Sequence, residues 1–134
     1  MKREPGWISK SLVLAIHDRL QIEHAGLSGF RDEGLLDSAL VSPKNHDHFG
    51  EKDIITLAAN YAHAISRNHP FTDGNKRVAF VVAVSFLELN GFLFAAPESE
   101  AHAMTLGLAA REVTEAEYAE WLKANSKRRR EKER

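Results

Sequence analysis

"NKRVAFVVAVSFLELNG", Asn75 to Gly91, decides the fold. Its middle, "VAFVVAV", is rich in β-branched residues and by composition could be a buried strand. Length decides for a helix. Sixteen residues from Asn75 to Asn90 exceed an ordinary strand, and Asn90-Gly91 is a good helix C-cap. After Arg77 only Glu88 carries a charge, so this helix is expected at the centre of a bundle, surrounded by others. Its first turn breaks that pattern. Lys76 and Arg77 face the positive end of the helix dipole, an unfavourable placement of roughly 0.3–1 kcal/mol each. A bound anion is the compensation that chemistry suggests.

Working outward, Leu12, Val13, Ile16 and Leu20 predict one face of a first helix that opens near Ser9 and closes before Gly26. "RDEGLLDSALVSP" reads as a short helix ended by Pro43. "KNHDHFGEK" reads as an exposed polar loop, its His46 and His48 included, with Asp53 as N-cap of the next helix. Ile54, Leu57, Ala58, Tyr61, Ala62 and Ile65 keep helical spacing up to Asn68 or His69, where Pro70 disfavours continuation. "FLF" after Gly91 predicts a short extended piece, paired with the segment around Trp7. Two more helices, Glu98 to Arg111 and Thr114 to Ala124, complete an all-α bundle of about six helices with at most a minor β pairing.

The 134 residues fit one domain, and 43% apolar residues suffice for its core. Without cysteine there is neither a disulfide nor a thiolate metal site. No apolar run approaches the roughly 18 residues of a membrane span, and the N-terminus lacks the apolar core of a signal peptide. A soluble cytoplasmic protein is the expectation. The tail from Ser126 holds six of the 18 Lys and Arg and two of the 19 acids, a net of +4 against −5 for the body. Residues 9–124 are expected to form the domain and 125–134 a basic, disordered tail. The body is acidic and the tail has no aromatic residue, which argues against nucleic acid as a partner.

The residues before the decisive helix supply chemistry. Gly74 lets backbone N–H groups approach an anion closely. Asp73 is a hard oxygen ligand beside that anion, suited to Mg²⁺ shared with phosphates, and it could equally cap the helix. His69 can take a proton from an attacking hydroxyl. Together they resemble a phosphoryl or nucleotidyl transfer site, with no Walker-type loop anywhere in the chain.

"HPFTDGNKR", His69 to Arg77, resembles the signature of the Fic/Doc superfamily, H-x-F-x-[DE]-[AG]-N-[GK]-R. Lys after Asn marks its Doc (death-on-curing) branch, toxins of toxin–antitoxin pairs. "HDRLQIEHAGLSGFRDEGLLDSAL", "AANYAHAISRNHPF" and "FLELNGF" extend the resemblance to about Ser9 through Trp121. It implies a compact Fic/Doc bundle around the helix at 75–90. It also implies His69 as general base, Asp73 on Mg²⁺, and Asn75 and Arg77 at the phosphates of ATP. Typical Fic enzymes, which transfer AMP, have Gly at the position of Lys76 and a second Arg where this chain has Phe80. Those replacements point to the inverted nucleotide of the Doc branch, whose γ-phosphate passes to a protein hydroxyl, characteristically on translation elongation factor Tu. Transfer of AMP, or a non-catalytic nucleotide- or anion-binding module, are the alternatives. No inhibitory motif [ST]-x-x-x-E-[GN] occurs, so restraint is expected from a Phd-like antitoxin. "GFRDEG" and "NHDHFG" are candidate clamps for the target peptide.

Overall fold

The structure, a computed structural model, describes residues 4–130. Six helices and two short strands follow in the order α1 (Lys10–Glu23), α2 (Glu33–His48), α3 (Ile54–Asn68), α4 (Asn75–Leu89), β1 (Phe92–Phe94), α5 (Glu98–Ala109), α6 (Glu115–Ala124) and β2 (Ser126–Arg128). Among the described residues the chain is all-α apart from a two-stranded sheet of β1 and β2 and an isolated bridge between Phe30 and Phe71.

Helix α4 takes the expected central place and shares it with α3. Val78, Ala79, Val82, Ala83, Phe86 and Leu87 of α4 are fully buried, as are Leu57, Ala58, Tyr61, Ala62 and Ile65 of α3. Both stripes recur at three and four residues, and the small alanines let the two backbones approach. Burial of this stripe outweighs the mild helix penalty of the valines. Around the pair, α1 lies on α4, α2 and α6 lie on α3, and α5 touches both. No helix among the described residues is long and apolar enough to cross a membrane.

Four expectations need correction. Helix α2 does not stop at Pro43 but runs to His48. Pro43 is buried on the same side of α2 as Leu36, Ala39 and Leu40, and this burial offsets the single backbone bond that its missing N–H removes. Residues 44–48 are therefore helical, and Asp47 is buried, tied to Lys52 at 3.1 Å. On α1 the expected Val13, Ile16 and Leu20 do pack on the core, but Leu12 is 41% exposed and the fully buried stripe is Val13, His17 and Gln21. The strand β1 pairs antiparallel with β2, Leu93 opposite Lys127, not with the segment around Trp7. That segment is held instead by the C-cap of α4: Gly6 N–H donates to Asn90 Oδ1 (2.8 Å) and Asn90 Nδ2 donates to the Gly6 carbonyl (3.0 Å). Finally, the basic tail enters the fold through β2, where the Arg128 guanidinium lies 5.0 Å from the Phe92 ring centre, a cation–π contact of about 0.5–1 kcal/mol. The remaining stretch of that tail, 131–134, lies outside the described residues.

Two fully buried tyrosines give the core an alkaline limit. The Tyr61 hydroxyl accepts from the Ile8 N–H (3.1 Å), and the Tyr118 hydroxyl shares a hydrogen bond with Thr105 (3.0 Å). Burial disfavours both phenolates, raising Tyr61 and pushing Tyr118 up to about 12, in each case against a partly opposing hydrogen bond. Since the folded values lie above the unfolded value near 10, the unfolded chain loses these protons first. Stability is expected to hold below pH 10 and to fall as pH rises from there towards 12. Denaturant melts at stepped pH, alongside absorbance titration of the phenolates, check this. Equal tyrosine titration in the native and denatured protein would contradict it.

Candidate active site at the mouth of the central helix

Helix α3 ends where the chemistry begins. His69 is its C-cap in the left-handed conformation (φ 52°, ψ 55°), its N–H donating to the Ile65 carbonyl. Histidine is among the non-glycine residues found there more readily than most. Its side chain is exposed. Arg31 binds the same helix end, Nε donating to the His69 carbonyl and Nη2 to the Asn68 carbonyl, both at 2.7 Å. A cation at this place satisfies carbonyls that the helix leaves open. The backbone around Arg31 follows the loop after α3 as well: Arg31 and Asp32 N–H donate to the Pro70 carbonyl, and Thr72 N–H donates to the Gly29 carbonyl.

The loop then turns over a buried aromatic. Phe71 is 1% exposed, stacked on the His17 ring at 3.8 Å and on Phe30 at 5.5 Å. The buried Asn75 clamps its backbone in both directions, accepting from Phe71 N–H and donating to the Phe71 carbonyl, each at 2.9 Å. The Asn75 oxygen and one N–H of its amide are thus committed to the loop, so the side chain holds Phe71 whatever else its second N–H contacts. Its backbone N–H remains part of the helix N-terminus.

Gly74 is the N-cap of α4 at φ +83°, and no side chain caps the helix. The amides of the first turn are therefore open to an anion, with Lys76 exposed and Arg77 half-buried beside them. Asp73 does not cap α4. Its Oδ2 accepts from Leu27 N–H (3.1 Å) and from Gln21 Nε2 (3.0 Å), leaving Oδ1 outside both bonds. The Leu27 N–H, then Gln21, and to a smaller extent Gly74 and Arg77, hold the Asp73 carboxyl below its ordinary range. It is a carboxylate at neutral pH.

His69, Asp73, Gly74, Asn75, Lys76 and Arg77 all border one cleft of about 790 Å³ between α4, the end of α1 and α5. Leu20, Phe80, Val81, Ala101 and Leu106 supply its apolar wall. Phe80, at the position of the missing second arginine, packs on Phe94 and Trp121 as it lines the cleft. Among the described residues no group of three or more His, Asp or Glu could cage a metal. One carboxylate beside an open helix N-terminus fits Mg²⁺ that keeps waters and is shared with phosphates.

Sequence reasoning missed His17, Gln21 and Arg31 around the loop, and His24, Glu98 and His102 on the cleft wall. A signal existed for the first two. Val13, His17 and Gln21 are spaced by four, and a polar pair on that stripe, opposite a Gly-rich loop, marks a face turned towards something polar.

The model of the Fic/DOC family matches residues 7–87, from α1 through most of α4. The chain is 31% identical over 118 residues to "Protein kinase doc" of Escherichia phage P1, a match spanning 87% of this chain and 92% of that protein. It is 38% identical over 88 residues to "Toxin Doc" of Mycolicibacterium smegmatis, spanning 59% of this chain and 67% of that one.

Proposed function

The chain belongs to the Doc branch of the Fic/DOC family, and on that premise we propose that it is a toxin that phosphorylates a protein hydroxyl from Mg-ATP. The observation that carries this reading is the gathering of His69, Asp73 and the uncapped, cation-flanked start of α4 at one cleft. Those are the parts phosphoryl transfer needs: a base, a cation ligand and a phosphate cradle.

The triphosphate lies against the open amides of α4, with Arg77 and Lys76 neutralising its charge. Asp73 would hold Mg²⁺ together with the phosphates, and the ion would supply further neutralisation of the charge on the transferred group. The His69 imidazole takes the proton of the target Ser or Thr hydroxyl. The hydroxyl oxygen then bonds to the γ-phosphorus as the bond from that phosphorus to the β,γ-bridging oxygen breaks, and ADP leaves. Lys76 and the phenyl ring at Phe80 favour γ-phosphoryl over AMP transfer, because the cation and bulk differ from what the AMP-transferring pose requires.

Elongation factor Tu is the proposed target, and phosphorylating it stops translation. A Phd-like antitoxin that orders as it binds beside the site restrains the toxin. The apolar wall of the cleft gives such a segment somewhere to bury side chains. Purified elongation factor Tu, incubated with the protein, γ-labelled ATP and Mg²⁺, is expected to take up label as phosphoserine or phosphothreonine, and EDTA should abolish it. With a bacterial lysate added alongside, label appearing in a different protein while the elongation factor stays clean would overturn the choice of target.

A further inference from the structure

We propose that Gln21 is a positioning residue that aims the Asp73 carboxylate at its cation, and that Gly26 and Gly74 are glycines because this amide occupies the space beside them; the cation part rests on the function proposed above. Gln21 lies in the last turns of α1 and is 4% exposed. Its Nε2 donates to the Leu27 carbonyl (2.6 Å) and to Asp73 Oδ2 (3.0 Å), while Leu27 N–H donates to the same Oδ2 (3.1 Å). The three residues close a ring of hydrogen bonds around one carboxylate oxygen.

The other end of the amide shows what the arrangement favours. Gln21 Oε1 is buried and has no hydrogen-bond partner. A buried acceptor left unpaired is uncommon and requires an explanation. Turning the amide over would not help, since Oε1 would then face the Leu27 carbonyl and Asp73 Oδ2, both acceptors. The amide is therefore oriented by what its NH₂ does for Asp73, at the expense of its own oxygen. One turn earlier on the same face, His17 Nε2 donates to the Asp73 backbone carbonyl at 2.9 Å. Helix α1 thus fixes Asp73 at both its carbonyl and its carboxylate.

Two glycines make room for this. A Cβ at Gly74 would sit 2.3 Å from Gln21 Oε1. One at Gly26 would sit 2.3 Å from Gln21 Nε2 and 2.6 Å from Asp73 Oδ2. The signature that this chain resembles allows Ala or Gly at position 74, but beside Gln21 an alanine Cβ would have to push the amide away from its place at Asp73. Carboxylate orientation matters because Mg²⁺ demands near-octahedral geometry, and groups that hold a ligand from behind commonly contribute about 10–100-fold to metal affinity.

The test is Mn²⁺ binding to the protein saturated with a non-hydrolysable ATP analogue, read from the spin-resonance signal of free Mn²⁺. Gln21→Leu keeps the volume and removes the donor. It is expected to weaken Mn²⁺ about tenfold or more, with transfer at saturating metal changed far less than the metal requirement. Gln21→Ser, which vacates the space, serves where the leucine variant does not fold. It also carries the second arm. Gly74→Ala should weaken Mn²⁺ by about tenfold or more in the wild-type background but by under about threefold on Gln21→Ser. The backbone strain of alanine at φ +83° is common to both and cancels. Unchanged Mn²⁺ affinity in the folded variants, or equal Gly74→Ala effects in both backgrounds, would overturn the inference alone. Absence of Mn²⁺ binding by the wild-type complex would remove the Mg-ATP reading and this inference with it.

Discussion

His69→Ala is expected to lower kcat for protein phosphorylation by about 10²–10⁴-fold, the usual contribution of a positioned general base. The KM for ATP should hardly move, because the imidazole acts on the attacking hydroxyl and its interaction develops in the transition state. The fold should survive. His69 is exposed, and the backbone around it is held by Ile65, Arg31 and Asn68 rather than by the imidazole. Alanine in the left-handed region adds strain of roughly 1 kcal/mol. His69→Asn avoids much of that strain and separates loss of the base from loss of the turn. Steady-state label transfer and thermal unfolding of both variants check this. A kcat within threefold of wild type in a folded His69→Asn protein would contradict the role of the base.

Asn75→Ala is expected to act differently, through stability. The side chain satisfies both the N–H and the carbonyl of the buried Phe71. Removing it strands two buried backbone groups, each worth about 1–3 kcal/mol when unsatisfied. A loss of about 2–4 kcal/mol is expected, on the order of 10 °C in Tm for a domain of this size. Activity should fall as well, because Phe71 sets the path of the loop from His69 to Asp73. Calorimetry distinguishes this from a phosphate contact. Unchanged Tm with a raised KM for ATP would mean that Asn75 turns its amide to the nucleotide.

The parts of this fold legible in the sequence are those where one signal acts alone. Helices α3 and α4 carry uninterrupted apolar stripes, and Pro70, Asp53 and Asn90-Gly91 mark their ends as local rules require. The charged residues at the mouth of α4 could be read because they break a pattern. Where two effects compete, local rules gave the wrong outcome. Pro43 should end α2, yet its burial keeps the helix going. On α1 Val13, Ile16 and Leu20 do pack on the core, but the middle of the buried face is His17 and Gln21, which count as polar although they are buried against the loop from His69 to Asp73. No local signal pairs β1 with a strand more than thirty residues later, or predicts that Arg128 settles on Phe92. At the site, residue types indicated Asp73 and His69, but the commitment of Asn75 to Phe71 is a matter of three-dimensional geometry.

The most direct test of the central claim uses two parallel reactions with Mg²⁺ and a bacterial lysate, one with ATP labelled on the γ-phosphate and one on the α-phosphate. The His69→Ala protein serves as control in each. Transfer of γ-label to a protein, with no transfer of α-label and none from the variant, is the expected result. Transfer of α-label would contradict it. The cleft would then hold ATP in the AMP-transferring pose despite Lys76 and Phe80.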